Sequence, residues 1–310
     1  MENNLQNGRN TYLNFFYNFF IIKRFQINIM ERTNKKIFWI ASYPKSGNTW
    51  IRAIVASLFF SDDGIFKFEL FKNIPNFERK ENYQFVESIN KNDYKNLDNL
   101  KIITKYRVEA QKRVNINYGN VAFFKTHSAN ISINNLPYTS EETTLGLIYI
   151  VRDPRDIVIS YSHHKSSNID AVINLMLNES IIYNESTPQV LSSWNHHYNS
   201  WLSLKVPKLI IKYEDLLNDT EHSLQIIAKY FSVNYKLEII NLEKKIKNIL
   251  DSTNFKKFQD YEKLFGFNEA KKGNFFREGK SKQWKKELNK EQVDKIEKAF
   301  RKNMITLGYL

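Results

Sequence analysis

Lys45, His127 and Arg152 each follow a short apolar run, and each belongs to a local pattern suited to anions or protons. In Tyr43-Pro44-Lys45-Ser46-Gly47-Asn48-Thr49-Trp50, proline ends the run and Lys45, Ser46 and Gly47 make a tight turn. Ile51, Ala53, Ile54, Val55 and Leu58 then form the apolar face of a helix. Unpaired N–H groups and the positive end of the helix dipole converge in such a turn, and lysine adds a mobile full charge. A phosphate-like anion suits it. The turn is not the nucleotide loop G-x-x-x-x-G-K-[ST], because it has one glycine and Lys45 precedes it. Lys125-Thr126-His127 supplies a second lysine and a histidine whose ordinary pKa lies near working pH, as a base for a hydroxyl proton requires. Arg152-Asp153-Pro154-Arg155-Asp156 leads to Ser160, about two helical turns on, so a bidentate guanidinium and a hydroxyl can reach one phosphate. The same acid–base run also reads as a helix N-cap pairing with itself.

Such residues need a scaffold that gathers strand ends. Ile37–Ala41, Val121–Phe124, Leu145–Val151 and Leu209–Tyr213 read as short buried strands. Leu224, Ile227, Ala228 and Phe231 fall at helical spacing behind Thr220 as N-cap. Val293, Ile296, Phe300 and Met304 form a second stripe, opened by Asn289 and Gln292 in a capping-box arrangement. Alternation of strands and helices predicts an α/β fold with a central, mostly parallel sheet flanked by helices. Ligands of such sheets bind beyond the carboxyl ends of the strands. All four runs lead there to reactive side chains: Lys45, His127, Arg152 and Tyr213. Residues 61–120, charged and aromatic with weak periodicity, read as helices and loops flanking the pocket.

At 310 residues and 42% hydrophobic content, the chain can bury a large core. No repeat or linker divides it, so residues 31–310 are expected to form a single domain. Residues 1–30 read as an N-terminal extension or a mis-assigned start, since Met30 shortly precedes the first strand. The absence of cysteine removes disulfides, thiol catalysis and cysteine-ligated zinc, and suits a reducing compartment. Tyr12–Ile22, the most apolar stretch, is interrupted by Asn14 and Asn18 and falls short of the ~20 residues that cross a bilayer. A cytoplasmic location without a transmembrane segment is expected. The net charge of +13 favours an anionic ligand, substrate or surface, with nucleic acid or a Lys/Asn/Ile coding bias as other sources.

Beyond these readings, Tyr43 to Trp50 resembles the 5′-phosphosulfate loop of the sulfotransferases that use 3′-phosphoadenylyl sulfate (PAPS). Lys125-Thr126-His127 resembles the family segment carrying the general base. Arg152-Asp153-Pro154-Arg155-Asp156 through Ser160-Tyr161 resembles the 3′-phosphate segment. Arg277-Glu278-Gly279-Lys280, followed by Trp284-Lys285, resembles the C-terminal Arg-Lys-Gly…Trp-Lys segment, with Glu278 in place of the usual basic residue. Trp194 to Trp201 resembles the Trp-x-x-His-x-x-x-Trp helix beside the acceptor pocket. These elements run from Ile37 to Lys286 in the family's order.

The resemblance implies a P-loop-like three-layer sandwich, PAPS as donor, 3′,5′-ADP as product, no metal, and a hydroxyl or amine acceptor. It places Lys45, Ser46, Gly47, Asn48, Thr49 and Trp50 around the 5′ end of the donor. Arg152, Ser160, Arg277, Glu278 and Gly279 fall at the 3′-phosphate, with Lys280 as a substitute for the lost basic residue. Tyr213, Thr253 and Phe255 join Trp50 along the adenine. Catalysis falls to His127 as base, Lys45 at the leaving oxygen and Lys125 at the sulfuryl oxygens. His197 is a candidate for the acceptor pocket, and Trp201 is read as core. The expected partners are a small-molecule, lipid or carbohydrate acceptor and no nucleic acid, with a homodimer left open. Two alternatives stand beside this reading. An ATP- and Mg²⁺-dependent kinase requires a Gly-Lys-Ser/Thr turn and a strand-end aspartate, and a nucleic-acid-binding protein explains the charge but not the ordered phosphate turns.

Overall fold

The computed structural model describes residues 37–87, 97–114, 121–178, 181–182, 187–270 and 274–310. The expectation for residues 1–30 lies outside them. Strand β1 (Ile37–Ser42) leads into helix α1 (Asn48–Phe60). Two 3₁₀ segments, Phe68–Asn73 and Lys80–Tyr83, and helix α2 (Leu97–Lys112) precede β2 (Ala122–Thr126) and β3 (Thr144–Val151). Next come α3 (Pro154–Lys165), α4 (Ile169–Leu177), the antiparallel pair β4 (Ile181–Ile182) and β5 (Gln189–Val190), α5 (Trp194–Ser203) and β6 (Lys208–Lys212). Helices α6 (Tyr213–Asn218), α7 (Thr220–Tyr235), α8 (Leu242–Ser252), α9 (Phe255–Phe265), α10 (Trp284–Glu287) and α11 (Lys290–Thr306) follow.

The main sheet has the order β2-β1-β3-β6, and every pairing is parallel. Ala41 lies opposite Thr126, Ser42 opposite Ile150, and Val151 opposite Lys212, so the four strands end nearly level. The chain leaves β1 for a neighbour on one side and then for a neighbour on the other. That reversal opens a crevice above the carboxyl end of β1.

All of β1 is buried, as a strand covered on both faces must be. Ile37, Trp39 and Ala41 join one core cluster with Trp194, Trp201 and Phe300 from α5 and α11. Phe38 and Ile40 join a second with Ile54 of α1 and Phe231 of α7. Alternation along one strand thus produces helix, sheet and helix layers: an α/β sandwich with a central parallel sheet.

Several boundaries differ from the sequence reading: β2 starts at Ala122 and runs on through Lys125 to Thr126, and β1 and β3 each gain a residue. Strand β6 stops at Lys212, and Tyr213 is the first residue of α6. The N-cap of α7 is Asp219, whose carboxylate accepts from the His222 N–H at 2.9 Å, while the Thr220 hydroxyl donates to the Leu216 carbonyl. Asp219 has the non-helical backbone a cap needs (φ −144°), so the cap falls one residue earlier. The Asn289–Gln292 capping box is present as read. Among the described residues no helix is long and apolar enough to cross a membrane.

Candidate active site

A cavity of about 410 Å³ lies above the carboxyl ends of β1, β2, β3 and β6. Its first wall is the β1–α1 turn. Lys45 takes a left-handed backbone (φ 67°), and Gly47, the N-cap of α1, has φ 103°. Any Cβ at Gly47 would lie 2.7 Å from the Tyr213 ring and 3.0 Å from Ile150, so only glycine leaves the turn this close to its neighbours. Helix α1 has no side-chain cap and no acid in its first turn; the Trp50 and Ile51 N–H groups donate to the Gly47 carbonyl, and the Asn48 and Thr49 amides are left without an acceptor among the described residues. The Lys45 ammonium sits 3.9 Å from the Phe275 ring centroid. Burial, then the Arg152 charge, lower its pKa to about 8.

Strand β2 delivers Lys125 and His127. The His127 Nδ1–H donates to the Ser42 carbonyl at 2.9 Å, which leaves Nε2 as the lone-pair nitrogen. Asn48 keeps this seat in place by donating to the Ile40 carbonyl and the Ser42 hydroxyl, both at 3.2 Å. Its side-chain amide therefore faces β1, leaving its backbone N–H for a ligand. Burial, then the Lys125 charge, push the His127 pKa down to about 3, so the free imidazole is neutral. Thr126 anchors the strand end from behind through Glu78 at 2.7 Å and Tyr138 at 2.8 Å.

Arg152, at the end of β3, donates to the carbonyls of Lys45 (3.2 Å) and Lys280 (2.8 Å), and its guanidinium stacks 4.3 Å from the Tyr213 ring. It thus ties the β1–α1 turn to the C-terminal segment. Ser160 faces the same cavity from α3. The rest of the Arg-Asp-Pro-Arg-Asp run does pair with itself, though it is buried rather than on the surface. Asp153 caps α3 and binds Arg155 at 2.7 Å, and Arg155 also meets Glu297 and the Tyr309 carbonyl. Asp156 accepts the Lys282 and Trp284 N–H groups at 2.6 and 3.0 Å and so docks the C-terminal segment on α3.

The far wall comes from α9 and residues 274–284. Phe255, Arg277, Glu278 and Gly279 line the cavity with Thr253, Tyr213 and Trp50. Gly279 has φ 63°, and a Cβ there would fall 2.5 Å from the Phe255 ring. The Thr253 hydroxyl donates to the Ile249 carbonyl, so toward a ligand it can only accept. Glu278 ion-pairs with Arg277 at 2.8 Å and with Lys280 at 3.8 Å. Lys280 is 71% exposed and is not among the residues that line the cavity.

The cavity brings together Lys45, Gly47, Asn48, Thr49, Trp50, Lys125, His127, Arg152, Ser160, Tyr213, Thr253, Phe255, Arg277, Glu278 and Gly279. Besides Lys280, two sequence candidates lie elsewhere. Ser46 is fully buried and off the wall, with its hydroxyl unpartnered among the described residues. His197 is also fully buried: its ring bonds the Tyr149 hydroxyl at 2.8 Å and the His127 carbonyl at 3.0 Å. It supports the backbone of His127 instead of facing an acceptor. Trp201 is core, as read, with its indole N–H on the Ser128 carbonyl. The sequence reading missed Glu269, which lines the cavity and bonds both Lys125 and Arg52. It belongs to no motif, and its partners lie 144 and 217 positions away.

A dianion at each end and a flat base between them fit what is present. Arg152 Nε and Trp50 Nε1 are buried and unpartnered among the described residues, beside the uncapped amides of α1. Among those residues no cluster of His, Cys, Asp and Glu is arranged to hold a metal ion.

The sulfotransferase-domain family model matches residues 35–308, and the chain belongs to that family. Luciferin sulfotransferase of Photinus pyralis is 26% identical over 86% of this chain and 70% of its own. Flavonol 3-sulfotransferase of Flaveria bidentis is 24% identical, with 87% and 82% covered. Among solved structures, retinol dehydratase in complex with androsterone and the inactive cofactor PAP matches with a TM-score of 0.55 at 20% identity. That match covers 86% of this chain and 80% of the other, and it speaks for the fold.

Proposed function

We propose that this protein transfers a sulfuryl group from PAPS to the hydroxyl of a small acceptor in a reducing, cytoplasmic setting. The observation that carries the reading is the placement of two anion cradles, the Lys45 turn and the Arg152–Ser160 pair, on one cavity with Lys125 and His127. When bound, PAPS supplies a sulfuryl group whose S–O bond to the 5′-phosphate breaks as a new S–O bond forms to the acceptor oxygen. His127 accepts the acceptor's hydroxyl proton at Nε2, because its Nδ1–H is held by Ser42. Lys45 and the first amides of α1 stabilise the charge that gathers on the leaving 5′-phosphate oxygen. Lys125 steadies the sulfuryl oxygens. Arg152, Ser160, Arg277 and the Gly279 backbone hold the 3′-phosphate, and Trp50, Tyr213 and Phe255 enclose the adenine. Positioning and fixed charge do most of the work.

Calorimetry with 3′,5′-ADP in the presence of a chelator, and with ATP plus Mg²⁺, tests the donor half. Binding of 3′,5′-ADP without Mg²⁺ is expected. Preference for ATP with Mg²⁺ would return the kinase reading. Labelled PAPS with a panel of phenols, alcohols, sugars and amines then identifies the acceptor.

A further inference from the structure

We propose that Glu269 is a positioning residue that makes the two cavity lysines unequal, pairing directly with Lys125 and leaving Lys45 without a direct carboxylate partner among the described residues. The proposal rests on the sulfuryl-transfer reading above. The Glu269 carboxylate is held from two sides. Arg52 donates to Oε1 at 2.5 Å from behind the cavity wall, where it is 4% exposed and also donates to the Ile74 carbonyl. Lys125 donates to Oε2 at 3.0 Å from the wall itself. Burial opposes the carboxylate's charge, but Lys125 and then Arg52 hold its carboxyl well below the usual range. Among the described residues Lys45 has no direct ion pair and rests on the Phe275 ring, with the Glu269 and Glu262 charges acting on it at longer range.

A carboxylate in an anion-binding cavity works against ligand affinity, so its effect on the reaction must be sought in where it acts. In the bound donor, negative charge already lies on the sulfonate, beside Lys125. During transfer, charge builds on the oxygen leaving toward Lys45. Only interactions stronger in the transition state than in the ground state raise the rate. Glu269 offsets part of the Lys125 charge at contact and acts on Lys45 only at longer range, which directs more of the cationic pull to the oxygen that gains charge. Glu269 also fixes the Lys125 ammonium, as a paired buried charge does.

The test compares Glu269→Gln with the parent by calorimetry of 3′,5′-ADP and of PAPS without acceptor. The ratio of their dissociation constants isolates the sulfonate, which the product lacks. With the carboxylate charge gone, PAPS should tighten relative to 3′,5′-ADP by about tenfold, and kcat should fall more than kcat/KM. In a Lys125→Met background the same substitution should change the ratio by less than about threefold, and Glu269→Asp should restore the parent value. If Glu269 only braces the far wall of the cavity, Glu269→Gln weakens both ligands alike and the ratio stays put, which overturns the proposal. Failure of the parent to bind either nucleotide overturns the sulfuryl-transfer reading instead.

Discussion

Lys45, His127 and Arg152 are fixed by parallel strand ends buried on both faces, whereas Phe255, Phe275 and Gly279 reach the same cavity from a helix and an irregular segment. The floor is held by sheet ladders and by short polar bonds, such as His127 to Ser42 and Asn48 to Ile40. The cover is held by ring contacts, such as Phe258 on Phe276 at 5.0 Å, and by a few bonds back to the floor from Arg152 and Asp156. Its small core of Ala53, Phe66, Phe258 and Phe276 is separate from the two that sandwich the sheet. The difference suggests a division of labour: the floor supplies the groups that act in the chemistry and the charges that meet the phosphates, and the cover closes over the nucleotide and sets how slowly it leaves.

The strongest test of that division is His127→Ala. Its turnover should fall by about 10²–10⁴-fold while 3′,5′-ADP affinity in calorimetry stays within about threefold. A matching loss of nucleotide affinity would erase the distinction. On the cover, Gly279→Ala brings a left-handed backbone and a clash with Phe255 together, so 3′,5′-ADP should bind about thirtyfold more weakly with kcat at saturation little changed. The pH dependence belongs to the floor. Lys45 has a pKa lowered to about 8 in the free protein, so it is charged below that pH and loses its proton above it. From about pH 7, where the phosphates of the nucleotide are dianionic, its affinity should fall by about tenfold toward pH 9, where an ordinary lysine would show almost no change. Lys45→Arg should flatten the profile. The smallest effect is expected for Asp156→Ala, which removes two bonds between α3 and the C-terminal segment: about threefold in 3′,5′-ADP dissociation rate, read by stopped flow.

The floor was largely legible in the sequence because its signals are local. A buried apolar run, a proline and a lysine–glycine turn lie within a few positions of Lys45, and the structure bears out the parallel α/β sheet that those runs imply. The cover was harder. Phe275 over Lys45 and Glu269 on Lys125 are contacts between distant segments with no periodicity to announce them. The Arg152–Asp156 run shows why local reading gave two answers: Arg152 reaches the cavity and Arg155 pairs with Asp153, so each alternative describes a different arginine. His197 was misplaced for a similar reason. Its position on α5 was readable, but its direction is set by Tyr149 on β3 and by the backbone of His127, both from other elements.

Asp156 carries a consequence for how such chains can be recombined. Its carboxylate grips two amides of the C-terminal segment from the first turn of the helix that also carries Ser160, so the tail is indexed to one particular helix. Grafting a relative's tail onto this chain would therefore seat a cover best in a recipient that keeps an acid two residues after the helix-opening proline. Without that acid the tail would be indexed by fewer bonds, chiefly that from Arg152 to the Lys280 carbonyl.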